Sequence, residues 1–441
     1  MDLSKLPENP RTVEERAAAL EKVRKVSREL ESADRTTFAG QLLALREEQV
    51  RALSFSLAAA ILIHVSSHGA TVYNDSESWV WLKYFFDACD QEAIRWSDEQ
   101  VEGISRIASD SCAKRGLGPS LQLSGALLVA LRKRTSGHWG ELTTIHTDLL
   151  QVCLVAKLYS LAAQVTDARG TKVCPRRGTA SLPSTLALDL QRFFYYSGIA
   201  YCAQQRFKDA SHAFCECLTL PAGSLGAVHL EAYKKYVLTS LISHGKVLPL
   251  PRYTPNAVRT AVSTADKSEP DPIRAYHQLA KAFAKRDQGV ELQKVTKEKA
   301  AVSDYEASGN AGLVKYVIQA YWKSTVQELT GTYVTMGLAD ISKAIQQPVD
   351  GAELEVLRMI LDRDIRARID QSTGTVRFLS ESEDVEEQSK AVRKIEAQIA
   401  QVMQVTEEVQ ALDKRLGTSK DYISKRAFRG GGSGVSPSED L

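Results

Sequence analysis

Residues Ile365 to Phe378 read IRARIDQSTGTVRF. Ile365, Ala367 and Ile369 alternate with Arg366, Arg368 and Asp370, which is the two-residue period of a half-buried strand. Ser372-Thr373-Gly374 offers a turn, and Val376 and Phe378 resume the alternation in a return strand. The stretch before this hairpin has helical spacing throughout. Leu313, Val317 and Tyr321 share one face of a helix predicted over Leu313–Leu329, and Gly331 follows it. Leu338, Ile341 and Ile345 mark a shorter helix. A third is expected to start at Asp350, a capping residue, and to turn Leu354, Leu357 and Leu361 inward. Helix, helix, helix, hairpin is the order of a winged helix with a small β-hairpin wing.

Downstream, one long helix is expected from Glu381. Val392, Ile395, Ile399, Val402, Val405, Val409, Leu412 and Leu416 follow at intervals of three or four, a mean period close to 3.5. Such a seam calls for a partner helix. Beyond Arg429, GGGSGVSPSED is a tail without core-forming residues.

Upstream, the chain is helical and long alternating runs are nearly absent. Gly198, Tyr201, Phe207, Ala210, Phe214 and Pro221 approach the spacing of a tetratricopeptide hairpin. In this reading Gly198 and Ala210 let two helices approach, while Tyr201, Phe207 and Phe214 fill the space between them. Leu150, Cys153, Tyr159 and Ala162 repeat part of the pattern. Two degenerate units imply stacked hairpins, since one hairpin cannot bury its apolar face alone. The fold class expected is therefore mainly α: a right-handed, TPR-like helical-repeat arm, then a winged helix, then a long C-terminal helix. Five segments follow: an N-terminal helical region (1–135), TPR-like repeats (136–310), a winged helix (311–380), a terminal helix (381–428) and a disordered tail (429–441). Asp167 to Ser184, rich in Gly, Pro, Ser and Arg, is expected to be an exposed loop, and GATVYN (69–74) breaks the helical pattern earlier.

Composition narrows the function. A formal net charge of +2 on 441 residues makes no field strong enough to select nucleic acid or an anionic membrane. Seven cysteines in a chain of this length are expected to be reduced and buried. The most apolar run, LAAAILIHV (57–65), is too short to span a bilayer, which takes about 18 residues or more. The first residues, MDLSKLPENPRTVEERAAAL, carry no apolar signal core.

The motifs of catalysis are missing. Gly170-Thr171-Lys172 and Gly245-Lys246 lack the rest of a phosphate-binding loop, and no GxSxG turn occurs, the glycines near Ser433 lying in the tail. His64 and His68 are four apart, but HVSSH has no glutamate beside it and reads as a helix end. His146 and Asp148 supply two ligand types without a third, so a capping or loop contact is expected. No cofactor or metal is implied, and the chain reads as a non-enzyme. The third winged-helix element carries Asp350, Glu353, Glu355, Asp362 and Asp364 against Arg358 and Arg363. That acidic balance argues against DNA, whose binding rests on neutralising phosphates. Protein contact is the better reading. The outer wing strand would leave a free backbone edge, and the 3.5-period helix needs a facing surface. Candidate contact residues are Ile365, Ile369, Val376 and Phe378 in the wing, with Ile395, Ile399, Val409 and Leu412 in the terminal helix.

Several longer stretches carry a resemblance. They include LTTIHTDLLQVCLVAKL (142–158), HLEAYKKYVLTSLISHGKVLPLPRYT (229–254), AYHQLAKAF (275–283), GLVKYVIQAYWKSTVQELTGTYVTMGLADIS (312–342) and VQALDKRLGTSKDYISK (409–425). With an arm, a winged helix and a terminal helix, they resemble the PCI-domain family shared by the proteasome lid, the COP-nine signalosome and translation initiation factor three. Within it they are most similar to the third-subunit branch of the signalosome. The resemblance implies a scaffold subunit in cytoplasm and nucleus. It would support removal of a ubiquitin-like modifier from cullins and so regulate cullin-RING ubiquitin ligases. The partners implied are other PCI-domain subunits, reached through the winged helix and the terminal helix, and cullin-RING ligases indirectly. A lid or initiation-factor subunit, or a nucleic-acid-binding winged-helix adaptor, are the alternatives.

Overall fold

A computed structural model describes residues 3–26, 29, 35–68, 80–115, 117–135, 141–168, 172–173, 184–221, 224–264, 273–285, 290–378 and 385–418. Most of the expected 167–184 loop, the 69–74 break and the Gly-rich tail lie outside these residues. Among the described residues the chain forms 21 α-helices and five short strands. It divides into two units, one of residues 1–332 with 338–359 and one of residues 333–337 with 360–441.

The first unit begins with eight helices, α1 to α8, between Val13 and Arg134, the last two being α7 (Asp98–Arg115) and α8 (Leu117–Arg134). Strand β1 (Glu141–Leu142) pairs in parallel with β2 (Lys172–Val173). The arm continues through α9 (Thr144–Val155), α10 (Tyr159–Asp167), α11 (Ser184–Ala203), α12 (Phe207–Thr219) and α13 (Ala227–His244). Then come α14 (Asn256–Thr264), α15 (Arg274–Lys285), α16 (Val290–Lys297), α17 (Lys299–Ala307) and α18 (Ala311–Thr332). Two apolar cores meet along α11: Phe193 and Ala200 belong to the first, Tyr201 to the second. Each large side chain they bury is worth roughly 1.5–3 kcal/mol over exposure. No helix among the described residues is long and apolar enough to cross a membrane.

The repeat signal corresponds to real hairpins. Helices α11 and α12 close so tightly that a β-carbon on Gly198 would meet the Phe214 ring at 2.5 Å. Ala210 and Phe214 are fully buried, and the Tyr201 hydroxyl donates to Asp167 at 2.8 Å. Phe207 departs from expectation. Instead of filling the hairpin it packs on Tyr316 of α18, with ring centroids 5.3 Å apart.

The turns repeat as well. After α9, Lys157 takes φ +58, its N–H donates to Leu154 O, and Leu158 N–H donates to Cys153 O at 2.8 Å. After α11, Gln205 takes φ +60, with Gln205 N–H to Cys202 O and Arg206 N–H to Tyr201 O at 2.9 Å. After α17, Gly309 and Asn310 make the same pair of bonds back to Glu306 and Tyr305. One left-handed residue and two back-bonds satisfy the last helical carbonyls, which is the Schellman cap.

The winged-helix elements follow α18 in chain order: β3 (Thr335–Gly337), α19 (Leu338–Ile345), α20 (Val349–Leu361), β4 (Ala367–Asp370) and β5 (Thr375–Phe378). Gln346, at φ +53, links α19 to α20 through the same cap. The second unit holds the sheet, whose order is β3-β5-β4, antiparallel throughout. The expected two-stranded wing is thus three-stranded. Thr335-Met336-Gly337 gives no strand signal in the sequence, because three residues running straight into a helix show no alternation. The hairpin turn carries Gly374 at φ +65, and the Asp370 carboxylate accepts from Ser372 N–H at 3.0 Å and its hydroxyl at 2.6 Å. Those bonds hold the Asp370 carboxyl below its ordinary range.

Candidate protein interface

Three surfaces bear on assembly. The first is the terminal helix, α21 (Val385–Thr418), whose 34 residues give a length of about 51 Å at 1.5 Å per residue. Every residue from Arg393 to Arg415 is exposed. Ile395, Ile399, Val409 and Leu412 are each more than half exposed, as are Val402 and Val405 between them. A single helix in water gains its stability mainly from a packed face. This one presents a continuous apolar seam that none of the described residues covers. The sequence assigns these four residues to a contact surface, and in the structure all four are exposed.

The wing differs. Val376 is fully buried, Ile365 and Phe378 are buried, and Ile369 is half-buried. As a contact surface these residues are corrected: three of them belong to the interior. The physical reason is strand alternation, which sets Val376 and Phe378 opposite Ile369 and Ala367 on the apolar face of the sheet. With β3 on one side and β4 on the other, β5 is central, and its Val376–Phe378 face is closed. What the sheet exposes is its other face, where Arg368 and Arg377 are directly opposed in register and both exposed. Like charges in that position repel. The free backbone edges belong to β3 and β4.

The third surface lies on α20. Leu354 and Leu357 are about half exposed and Leu361 is 72% exposed, whereas Ala352, Val356 and Met359 are buried. The inward assignment of the three leucines is overturned. Two stripes on this helix have helical spacing, and side-chain size favours the leucines as core; burial instead follows the smaller set. A stripe of leucines at 354, 357 and 361 beside a second stripe at 352, 356 and 359 is the signal that one of them faces outward.

The His146 and Asp148 pair has a structural setting. Thr143 caps α9, and the His146 Nδ1 accepts from Thr143 N–H at 3.0 Å. Burial pushes His146 down to about 4, so its ring is neutral at physiological pH. Asp148 accepts from Arg106 Nε at 2.8 Å and from the Ser105 hydroxyl at 2.5 Å, and Arg106 Nη2 reaches Asp189 at 2.5 Å. One guanidinium thereby ties α7, α9 and α11. Burial pushes Asp148 up to about 6 against the pull of Arg106. Burial also works against the Arg106 charge, but Asp148 and Asp189 more than offset it and raise its affinity for the proton. His64 stacks on Phe38 with ring centroids 4.2 Å apart. Among the described residues no three His, Cys, Asp or Glu side chains are grouped to hold a metal ion, and six cysteines are free thiols. These polar residues splice helices together.

Comparison with known proteins fits the architecture. Residues 21–258 match the family model described as COP9 signalosome complex subunit 3, N-terminal helical repeats, and residues 302–380 match the PCI domain. The chain is 28% identical over 346 residues to the COP9 signalosome complex subunit 3 of Dictyostelium discoideum, covering 78% of each chain. It is 29% identical over 342 residues to that of Arabidopsis thaliana, covering 77% of this chain and 74% of the relative. With a helical-repeat match over more than half its length and a PCI domain after it, the chain belongs to the COP9 signalosome complex subunit 3 family.

Proposed function

We propose that this chain is a non-catalytic scaffold subunit of the COP9 signalosome, acting in cytoplasm and nucleus. Its role is to hold other PCI-domain subunits in place, so that the assembly removes a ubiquitin-like modifier from cullins and regulates cullin-RING ubiquitin ligases. The observation that carries this reading is the open seam of α21. Six apolar residues, Ile395, Ile399, Val402, Val405, Val409 and Leu412, stand exposed on one helix. Burying them against neighbouring helices would stabilise the assembly by several kcal/mol even after ordering costs. The exposed leucines of α20 supply a second apolar contact.

The test is affinity purification of the tagged full chain from its own cells in mild salt, with mass spectrometry of what is retained. Recovery of further PCI-domain proteins together with a metalloisopeptidase is expected. A preparation that contains neither, from a chain that behaves as a folded monomer, rules the proposal out.

A further inference from the structure

The segment after α13 contains an unusual display. Gly245, at φ +66, ends the helix, and Val247-Leu248-Pro249-Leu250-Pro251 then runs without regular structure. It is nonetheless fastened down. The Tyr236 hydroxyl donates to Leu248 O at 3.1 Å, and Val247, Leu248 and Leu250 pack against the second core of the arm. A tight turn follows, in which Thr254 N–H donates to Pro251 O at 3.1 Å and the buried Thr254 hydroxyl donates to the same oxygen at 2.8 Å. Arg259, on the first turns of α14, donates to Arg252 O at 3.4 Å.

At the tip of this braced turn Tyr253 is 75% exposed. Proline on both sides and a buried threonine fix the backbone, so little entropy remains to be lost when the ring is covered. The stretch of chain that carries it is basic. From Ala232 to Ala265 the sequence contains no Asp or Glu. Lys246, Arg252 and Arg259 are exposed, and among the described residues none of them forms an ion pair. His244, also exposed, is held below its ordinary range first by partial burial and then by the neighbouring His212, Lys208 and Lys246. Tyrosine and arginine held rigidly at a protein surface are the residue types that dominate binding energy at interfaces.

We propose that the Pro251–Thr254 turn is a docking knuckle for an acidic segment of another polypeptide, with Tyr253 as the anchor and Arg252 and Arg259 as its charged flanks. The chemistry favours a protein over a nucleic acid. Single strands are held by successive stacking aromatics, and this surface offers one. Duplex binders neutralise about 6–10 phosphates, which exceeds the cations gathered here. The knuckle lies on the helical arm, far along the chain from α21, and its test does not depend on assembly through that helix.

The experiment uses the purified full chain and three fluorescein-labelled probes: a short peptide of Glu, Asp and Leu, its Gln, Asn and Leu counterpart, and a single-stranded oligodeoxynucleotide of equal length. Anisotropy should show saturable binding of the acidic peptide, weakened by salt. Tyr253→Ala and Arg252→Glu should each weaken it by about tenfold without moving the thermal midpoint, since both side chains lie outside the core. Ile399→Asp should leave it unchanged. The proposal is overturned if the acidic peptide does not bind, if it binds no better than the amide peptide, if both knuckle variants bind it as the native chain does, or if the oligonucleotide binds more tightly.

Discussion

Gly198 faces Phe214 across the α11–α12 hairpin with no room for a side chain: a β-carbon there would stand 2.5 Å from the ring's Cε1. Phe214 is fully buried, so the ring has nowhere to swing. Gly198→Ala should therefore destabilise the chain by about 1–3 kcal/mol, the range of overpacked cores. Adding Phe214→Leu should restore part of that loss although it removes apolar volume. Chemical denaturation of the two variants measures both effects, and equal stability of Gly198→Ala and the native chain would contradict the close approach.

Equivalent turns carry different residues, which allows a clean comparison. Gly309 sits at φ +65, and a β-carbon added to it would have open space on all sides. Gly309→Ala therefore costs only the left-handed backbone penalty of about 1–2 kcal/mol. Lys157 already adopts φ +58 with a side chain in place. Lys157→Ala should thus change stability by less than about 0.5 kcal/mol, as exposed substitutions usually do. Urea midpoints of the pair decide the point; a matching loss at both sites would mean the backbone is not what distinguishes them.

His146 gives the arm a pH dependence whose sign can be worked out. Its folded pKa, about 4, lies below the ordinary value of 6.5 because burial disfavours the charged ring. Between those values the unfolded chain binds more protons, so the histidine's contribution is complete above pH 6.5 and is lost as the pH falls towards 4. His146→Gln keeps an acceptor at the same capping position but does not titrate. From pH 7 to pH 4 the native chain should lose about 3 kcal/mol relative to this variant. Asp148 acts in the opposite sense, its raised pKa favouring the folded state at low pH, but it is common to both proteins and cancels in the difference. Urea titrations at the two pH values supply the measurement, and parallel losses would refute the assignment.

Ile399 is 54% exposed in the lone chain. Ile399→Asp should accordingly leave the isolated protein's melting temperature unchanged. In an assembled bundle the same substitution places a charge in an apolar seam, at a cost of several kcal/mol, or more than about a hundredfold in affinity. Ala400→Glu, at an exposed position on the face opposite the seam, is the control. Co-purification of partner subunits with each variant reads the outcome, and retention of all partners by Ile399→Asp would disprove the seam.

What the sequence makes legible is period and spacing. Gly198, Ala210 and Phe214 announce a hairpin because close packing demands small residues opposite large ones, and Ile395 to Leu412 announce a seam because they recur on one helical face. What escapes is choice between equivalent patterns. On α20 the leucines and the Ala352, Val356, Met359 set have the same period, so spacing cannot say which faces inward. Strand β3 is too short to have a period at all, and without it the wing reads as two-stranded. The braced turn at Tyr253 is also invisible, because its rigidity comes from the hydroxyl of Tyr236 bonding to Leu248 and from the burial of Thr254.

The open flank of α21 also bears on the life of the unpartnered polypeptide. A solitary amphipathic rod frays readily and shows its oily side to chaperones and proteases. Newly made copies therefore race between capture and destruction, and the cell's stock of this protein should follow the supply of whatever shields that rod.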